Sequence, residues 1–310
     1  MAEGKIRSDW PAENTEPTVR AWLIEAVRGV SENEREAAAI SDWLIEGVTQ
    51  LSRGERLMQA PFRFSESALN RLSEFCVKLQ RGAPIQQVLG HTEFFGLRFK
   101  VTPAVLIPRP ETEELVAWIV HSVSSPTPSP FKSLFQSLAI LDIGTGSGCI
   151  ACSLAHALPG SEVCAQDISP EALEVAQENA RDLGVAVQFE IQDNLNIPED
   201  SSEGKSFDVV VSNPPYIPEA EMSTLSERVR DYEPERALSV PDADPLIHYK
   251  AIVARCEAGL LKPGGRLFFE CHTDFVEDVA DILWNSGAWK EVESRRDLQG
   301  LPRMVSAIKA

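Results

Sequence analysis

The chain has 310 residues, 43% hydrophobic and 25% charged, with a formal net charge of −18, the make-up of a globular protein with a large core and room for two domains. Residues 1–85 hold 11 basic and 13 acidic side chains, and residues 86–310 hold 18 and 34, so the acidity sits in the C-terminal part. That balance argues against duplex DNA or a membrane surface as partner, because both need a basic footprint, and it suits a basic protein partner. No apolar run approaches the ~18 residues of a membrane span. Met1 to Asn14 has neither the apolar core of a signal peptide nor the acid-free bias of a transit peptide, which predicts a cytoplasmic protein.

Residues 16–81 read as helices. Val19, Leu23, Ile24 and Val27 recur at helical spacing, as do Ile40, Trp43, Leu44 and Val48. Ser65 is an N-cap for a helix to Leu79 that puts Leu69, Leu72, Phe75 and Cys76 on one face. Residues 1–81 are therefore expected to form a small helical domain. Residues 82–107 are punctuated by Gly82, Pro84, Gly90 and Gly96. Phe94 to Val101 alternates as part of a hairpin, so 82–107 is expected to be a β-hairpin connector. Ile107-Pro108-Arg109-Pro110-Glu111-Thr112-Glu113-Glu114 opens a helix with acids in its first turn. Ser122 to Pro130 is Ser/Pro-rich and predicts a surface loop.

From Leu138 strands and helices alternate. Strands are predicted at Ala139–Ile143, Val163–Gln166, Val185–Ile191, Phe207–Val211 and Arg266–Glu270. Helices are predicted at Gly148–Leu158, Pro170–Leu183, Asp244–Leu261 and Asp274–Ser286, with Lys262-Pro263-Gly264-Gly265 as a turn. Trp289–Ser294 and Met304–Ile308 follow with no helix between them. The pattern predicts a doubly wound, mainly parallel α/β sheet over 108–310 with an antiparallel edge hairpin.

Cysteine offers little chemistry. Cys149 and Cys152 alone have metal or redox spacing, no second pair or histidine cluster accompanies them, and their apolar context reads as a buried helix. The five histidines show no metal spacing either; His272, near a strand end, is the one to watch.

Two stretches carry the chemistry. Leu141-Asp142-Ile143-Gly144-Thr145-Gly146-Ser147-Gly148 joins the first strand to a helix. Its glycines permit a tight turn and close approach of a ligand. The spacing is G-x-G-x-G, not the G-x-G-x-x-G that cradles a pyrophosphate. The acid before the glycines suits a cationic ligand. The next strand ends at Asp167, where a carboxylate can accept both hydroxyls of a ribose. Together these fit S-adenosyl-L-methionine, a phosphate-free nucleoside with an ammonium and a sulfonium. The second stretch is the buried strand Val209-Val210-Val211, which stops at Ser212-Asn213-Pro214-Pro215-Tyr216. Two prolines cannot continue a ladder, so Asn213 and Tyr216 are presented at a carboxyl strand end, where open α/β sheets bind ligands.

With these residues placed, the chain resembles the class I methyltransferases, and more closely the bacterial release-factor glutamine methyltransferases. The match rests on Val105 to Glu113, Leu141 to Gly148, Asp167-Ile168-Ser169 and Ser212 to Ile217, and it covers about residues 16–310. The tail Asp297, Gly300 and Arg303 also resembles the family pattern, whereas the Ser/Pro-rich loop reads as an insertion and Glu270-Cys271-His272 departs from it. The resemblance implies a Rossmann-like S-adenosylmethionine-dependent methyltransferase domain over 108–310. The substrate implied is the glutamine of the Gly-Gly-Gln loop in class I peptide chain release factors. The helical domain carries no catalytic cluster, so substrate docking is its expected role, against simple structural cover, and the acidic balance with no separate basic domain predicts no direct nucleic-acid binding.

Gly144, Thr145, Gly146, Ser147, Gly148, Asp167, Asn194 and Asn213 are assigned to the cofactor. Asn213, Pro214, Pro215 and Tyr216 are assigned to the substrate. A carboxamide nitrogen is a poor nucleophile, because its lone pair is delocalised, so positioning is the expected device. The Asn213 oxygen and the Pro214 carbonyl would hold the two amide hydrogens, with Tyr216 against the amide plane. Glu111 and Glu113 are further candidates. Two other readings stay open: an amino-methyltransferase acting on adenine in nucleic acid, and a non-catalytic nucleotide-binding module.

Overall fold

The structure is a computed structural model and describes residues 10–11, 13–124, 137–196 and 205–310. Of the Ser/Pro-rich stretch from 122 to 130, expected as a loop, residues 122–124 continue the helix Pro110–Ser124, and 125–130 lie outside the described residues. The chain divides into two compact units, one built from residues up to Gly90 plus Glu227–Tyr232, the other from His91–Ser226 plus Glu233–Ala310.

The first unit is helical: α1 (Glu16–Val27), α2 (Glu34–Thr49), α3 (Arg53–Met58), α4 (Glu66–Gln80) and α5 (Ile85–Leu89). Short polar side chains start three of these helices. Asn33 caps α2, Ser65 caps α4, and Ser52 forms a capping box with Glu55 at α3, each satisfying amides that the helix leaves free. The predicted apolar faces meet in one core that contains Val19, Leu23, Ile40, Leu44, Leu72 and Phe75. Trp43, expected on that face, is half exposed (50%), and Ile45 is buried instead. Tyr232 belongs with this unit, its hydroxyl donating to the Arg81 carbonyl over 2.6 Å.

In the second unit, β1 (His91–Phe94) and β2 (Leu97–Lys100) form a hairpin closed by Phe95 and Gly96, both at positive φ (52° and 73°), as a type I′ turn requires. Phe94 and Phe99 are buried in the core of this unit, so the stretch expected as a connector divides after Gly90. Then follow α6 (Pro110–Ser124), β3 (Ala139–Ile143), α7 (Cys149–Ala157), β4 (Glu162–Asp167), α8 (Pro170–Leu183), β5 (Val187–Ile191), β6 (Phe207–Ser212) and β7 (Ile217–Pro218). The chain continues through α9 (Glu227–Arg230), which lies in the first unit, and β8 (Ser239–Val240). It closes with α10 (Ile247–Arg255), β9 (Leu261–Glu270), α11 (Val276–Ser286), β10 (Trp289–Arg296) and β11 (Pro302–Lys309).

The seven-stranded sheet has the order β10-β11-β9-β6-β3-β4-β5. β5, β4, β3, β6 and β9 are parallel, and β11 and β10 add an antiparallel edge. Both faces are covered. Ile140, Val209, Val211 and Phe268 pack with α6 and α7, while Leu141, Val210, Leu267 and Phe269 pack with α10 and α11. Burying each of Val209, Val210 and Val211 stabilises the fold by about 1.5–3 kcal/mol, which explains the uninterrupted β-branched run.

The predicted helix to Leu261 ends earlier. α10 stops at Arg255, and Gly259, at φ 128°, turns the chain out. β9 begins at Leu261 and already includes Lys262 to Gly265, where the pairing with β6 slips between Phe207–Leu261 and Val209–Arg266. The glycines and proline expected as a turn therefore form a bulge inside the strand.

Candidate functional site

The chain order reverses between β3 and β6. β3 leads to β4 and β5 on one side, and β6 and β9 lie on the other. A crevice opens at such a switch point beyond the carboxyl ends of the strands. Here it is a cavity of about 470 Å³, within the range of small-ligand sites.

The glycine turn forms its floor. The Gly144 and Thr145 amides both donate to the Gln166 carbonyl, at 2.8 and 3.0 Å, and the Gly148 amide donates to the Thr145 carbonyl at 2.8 Å. Gly144, Gly146 and Gly148 all have positive φ, and their roles divide. A Cβ on Gly144 or Gly146, both of which line the cavity, would meet nothing within 4 Å. A Cβ on Gly148 would lie 3.0 Å from the Ala176 Cβ, so Gly148 lets α7 and α8 approach.

Asp167 ends β4 and locks the turn. Its Oδ2 accepts the Gly146 amide and its Oδ1 accepts the Ser169 amide, at 2.8 and 2.9 Å. Each oxygen keeps a lone pair for a ligand. Asp142 faces inward instead. It is fully buried, its Oδ2 accepts the Thr145 hydroxyl at 2.6 Å, and it does not line the cavity. Burial lifts its carboxyl to about 7, against the pull of that hydroxyl.

At the end of β6 the Ser212 hydroxyl donates to the Ile143 carbonyl over 2.7 Å, joining the two strands at the switch point. Asn213, Pro214 and Pro215 line the cavity, as do Gly144, Gly146, Asp167 and Asn194. Four assigned residues do not. Thr145 and Ser147 are buried and hold the turn from within, and Gly148 packs against α8. Tyr216 turns its hydroxyl to Glu270 Oε1 at 3.4 Å, and its ring meets that of His272 in a T-shaped contact. Burial, more than the nearby Glu270, pushes its phenol above the ordinary range. The Asn194 oxygen is taken by the Arg255 guanidinium, which leaves its NH2 group.

Several residues were not singled out by sequence. Ile168 and Leu195 line the cavity while 50% and 40% exposed, so they offer apolar surface to a ligand. Arg236 and His248 come from the crossover before β9 and from α10. Burial lowers the His248 imidazole against the opposing charge of Asp193. The second miss lies behind Asn213. Its Nδ2 donates to Thr112 Oγ1 at 3.2 Å, and Thr112 donates to Glu270 Oε2 at 2.6 Å. The signals were Thr112 within the stretch Val105 to Glu113 and the acid Glu270 closing the apolar run Leu267 to Phe269. Glu111 and Glu113 do not line the cavity. Glu111 accepts from Gln299 on the surface. Arg109 ion-pairs with Glu233, whose other oxygen accepts the Ile107 amide at 2.9 Å. This ties the Ile-Pro-Arg-Pro loop to the crossover. In the tail, Asp297 accepts the Gln299 and Leu301 amides and pairs with Arg303, which donates to the Cys271 carbonyl.

The cavity fits a phosphate-free nucleoside. Among the described residues its lining carries two carboxylates and one arginine, where a phosphate site gathers cations and helix amides. The glycine turn leaves room, and Asp167 retains acceptors. Cys149 and Cys152 are buried on α7, and burial pushes the Cys152 thiol up to about 12.

Comparison with known proteins places this architecture. A methyltransferase-domain family model matches residues 134–290. The release factor glutamine methyltransferase of Bacteroides thetaiotaomicron is 42% identical over 236 residues, 76% of this chain and 80% of that protein. The protein of the same name from Moorella thermoacetica is 38% identical over 294 residues, 94% and 99% of the two chains. Among solved structures, the hMettl16 catalytic domain in complex with a 3'UTR hairpin aligns with a TM-score of 0.54 at 13% identity, covering 96% of this chain and 94% of that one. At that identity the likeness is one of fold.

Proposed function

The chain belongs to the release factor glutamine methyltransferase family, and on that footing we propose that it methylates the side-chain amide nitrogen of the glutamine in the Gly-Gly-Gln loop of class I peptide chain release factors, using S-adenosyl-L-methionine. Release factors work on ribosomes, which puts the reaction in the cytoplasm; among the described residues no helix is long and apolar enough to cross a membrane. The observation that carries the reading is that Asn213, Pro214 and Pro215 open on the same cavity as Gly144, Gly146 and Asp167. One end of the crevice suits a nucleoside, and the other suits a planar amide.

When bound, S-adenosyl-L-methionine supplies an electrophilic methyl group on a sulfonium. Asp167 would hold the ribose hydroxyls with its remaining lone pairs, Ile168 and Leu195 would offer apolar surface to the base, and Asn194 would have its NH2 group free for a ring nitrogen. Asn213 Oδ1 and the Pro214 carbonyl accept the two hydrogens of the glutamine amide and so aim its nitrogen. Orientation replaces a strong base, and the acceptors favour the positive charge that develops on nitrogen. Tyr216 acts from behind, through Glu270.

The test is labelled methyl transfer from S-adenosyl-L-methionine to a purified class I release factor, beside duplex DNA and RNA. Label on the release factor alone, mapped to the Gly-Gly-Gln glutamine, is expected. Label on adenine would replace this reading with the nucleic-acid one.

A further inference from the structure

A carboxamide can present its oxygen or its NH2 group to a ligand, and what decides this for Asn213 lies behind it. Thr112, in the first turn of α6, is 3% exposed, and Glu270, at the end of β9, is 1% exposed. The Thr112 hydroxyl donates to Glu270 Oε2 over 2.6 Å, and Asn213 Nδ2 donates to Thr112 Oγ1 over 3.2 Å. Asn213 lines the cavity; Thr112 and Glu270 do not. A hydroxyl has one hydrogen, and a carboxylate only accepts. That hydrogen is committed to Glu270, so Thr112 can meet Asn213 only as an acceptor. It takes the NH2 group and leaves Oδ1 turned away from Thr112.

Resting on the glutamine-amide reading, we propose that Thr112 and Glu270 are positioning residues: the Glu270 carboxylate, relayed through the single hydroxyl hydrogen of Thr112, fixes Asn213 with its oxygen toward the methyl-accepting amide. The relay has a polarity. A protonated Glu270 can donate to Thr112 Oγ1, which frees the Thr112 hydrogen for Asn213 Oδ1. The Asn213 amide then turns over, and its NH2 group confronts the NH2 group of the substrate.

The surroundings of Glu270 set when this happens. Burial lifts its carboxyl to about 7; the Thr112 hydroxyl and the Arg303 guanidinium pull it down, Glu111 pushes it up, and the Tyr216 hydroxyl pulls it down. Tyr249, on α10, donates to its backbone carbonyl, Cys271 follows it in the chain, and Asp297 holds Arg303 by an ion pair. The productive orientation is lost as pH falls through that value.

The experiment compares wild type, Thr112→Val, Thr112→Ser and Glu270→Gln in steady-state methylation of a release factor. Beside it runs the NMR signal of the nitrogen-labelled Asn213 side-chain amide, identified by its loss in Asn213→Ala. Thr112→Val keeps the shape and removes the relay. It should lower kcat about a hundredfold, the cost of a misaligned reactant, with the KM for S-adenosyl-L-methionine near wild type and a lowered Tm, because the buried Glu270 carboxylate loses a donor. Thr112→Ser should restore kcat to within several-fold. The Asn213 amide protons should exchange slowly in wild type and quickly in Thr112→Val. In wild type kcat and the amide signal should titrate together as pH falls, and Glu270→Gln should abolish that midpoint. Full kcat in Thr112→Val, or an Asn213 amide indifferent to that substitution, overturns the proposal. If wild type methylates no release factor, the glutamine reading falls, and the amide signal alone decides the relay.

Discussion

Asp167 serves the loop and the ligand at once. Its two oxygens accept the Gly146 and Ser169 amides, so Asp167→Ala frees the turn as well as removing the ribose acceptor. Cofactor affinity should fall by about 1.5–3 kcal/mol, the worth of hydrogen bonds to a charged group. Calorimetry finding unchanged affinity would remove Asp167 from the site. Asn213→Asp keeps an acceptor at this position. In the structure the new carboxylate faces Thr112 Oγ1, whose one hydrogen already serves Glu270. Asn213→Asp should therefore lose kcat by orders of magnitude, close to Asn213→Ala, and equal activity to wild type would contradict the hydrogen-bond directions. Asp142 makes a prediction about stability. Its carboxyl sits at about 7, above the ~3.9 of an unfolded chain. The folded state holds that proton more tightly, so this contribution is fully present in acid and is lost as pH rises through the folded value. Asp142→Asn cannot ionise and should show a flatter Tm between about pH 4 and pH 7 than wild type. Parallel slopes would mean that Asp142 contributes nothing in that window.

In the glycine turn, sequence and structure agree on the backbone, a strand to Ile143 and a helix from Cys149, although only Gly144 and Gly146 of its five residues assigned to the cofactor line the cavity. The structure adds that its glycines are not equivalent. Gly148→Ala would push a methyl group to 3.0 Å from Ala176, so denaturation should show the larger loss of stability, beyond the ~1–2 kcal/mol of a left-handed residue. Gly146→Ala meets nothing within 4 Å but lines the cavity, and should cost more cofactor affinity than stability. The reverse ranking would mean that the ligand does not approach the turn. The central strands β3 and β6 were legible because strands covered on both faces read as near-continuous apolar runs, whereas β5, Val187 to Ile191, alternates and is largely exposed. The start of β9 was not, since Lys262 to Gly265 look like a turn and only pairing with β6 draws them into the sheet. The Thr112–Glu270 contact spans 158 positions, and no periodicity links residues that meet across the ends of a sheet.

For the whole molecule, the question is what the helical unit does. A Gly-Gly-Gln loop offers few side chains and little affinity, so a second contact must supply binding energy, and we propose that the helices of the first unit supply it. A chain reduced to residues 86–310 should bind cofactor nearly as before and lose kcat/KM for the whole release factor far more than for a short Gly-Gly-Gln peptide. Because Tyr232 bonds to Arg81, the truncation strips the segment 227–232 of its partner, and the cofactor affinity of the shortened chain reports whether the second unit survives. Equal losses on both substrates would make the helical unit a structural support. The acidic balance, legible from composition, bears on the same partner. The most direct test of the whole account is mass spectrometry of a class I release factor after incubation with S-adenosyl-L-methionine and either wild type or Asn213→Ala. One methyl group on the side-chain nitrogen of the Gly-Gly-Gln glutamine is predicted with wild type, and almost none with the variant although it still binds cofactor. Methylation at another residue, or equal methylation by both proteins, would contradict it.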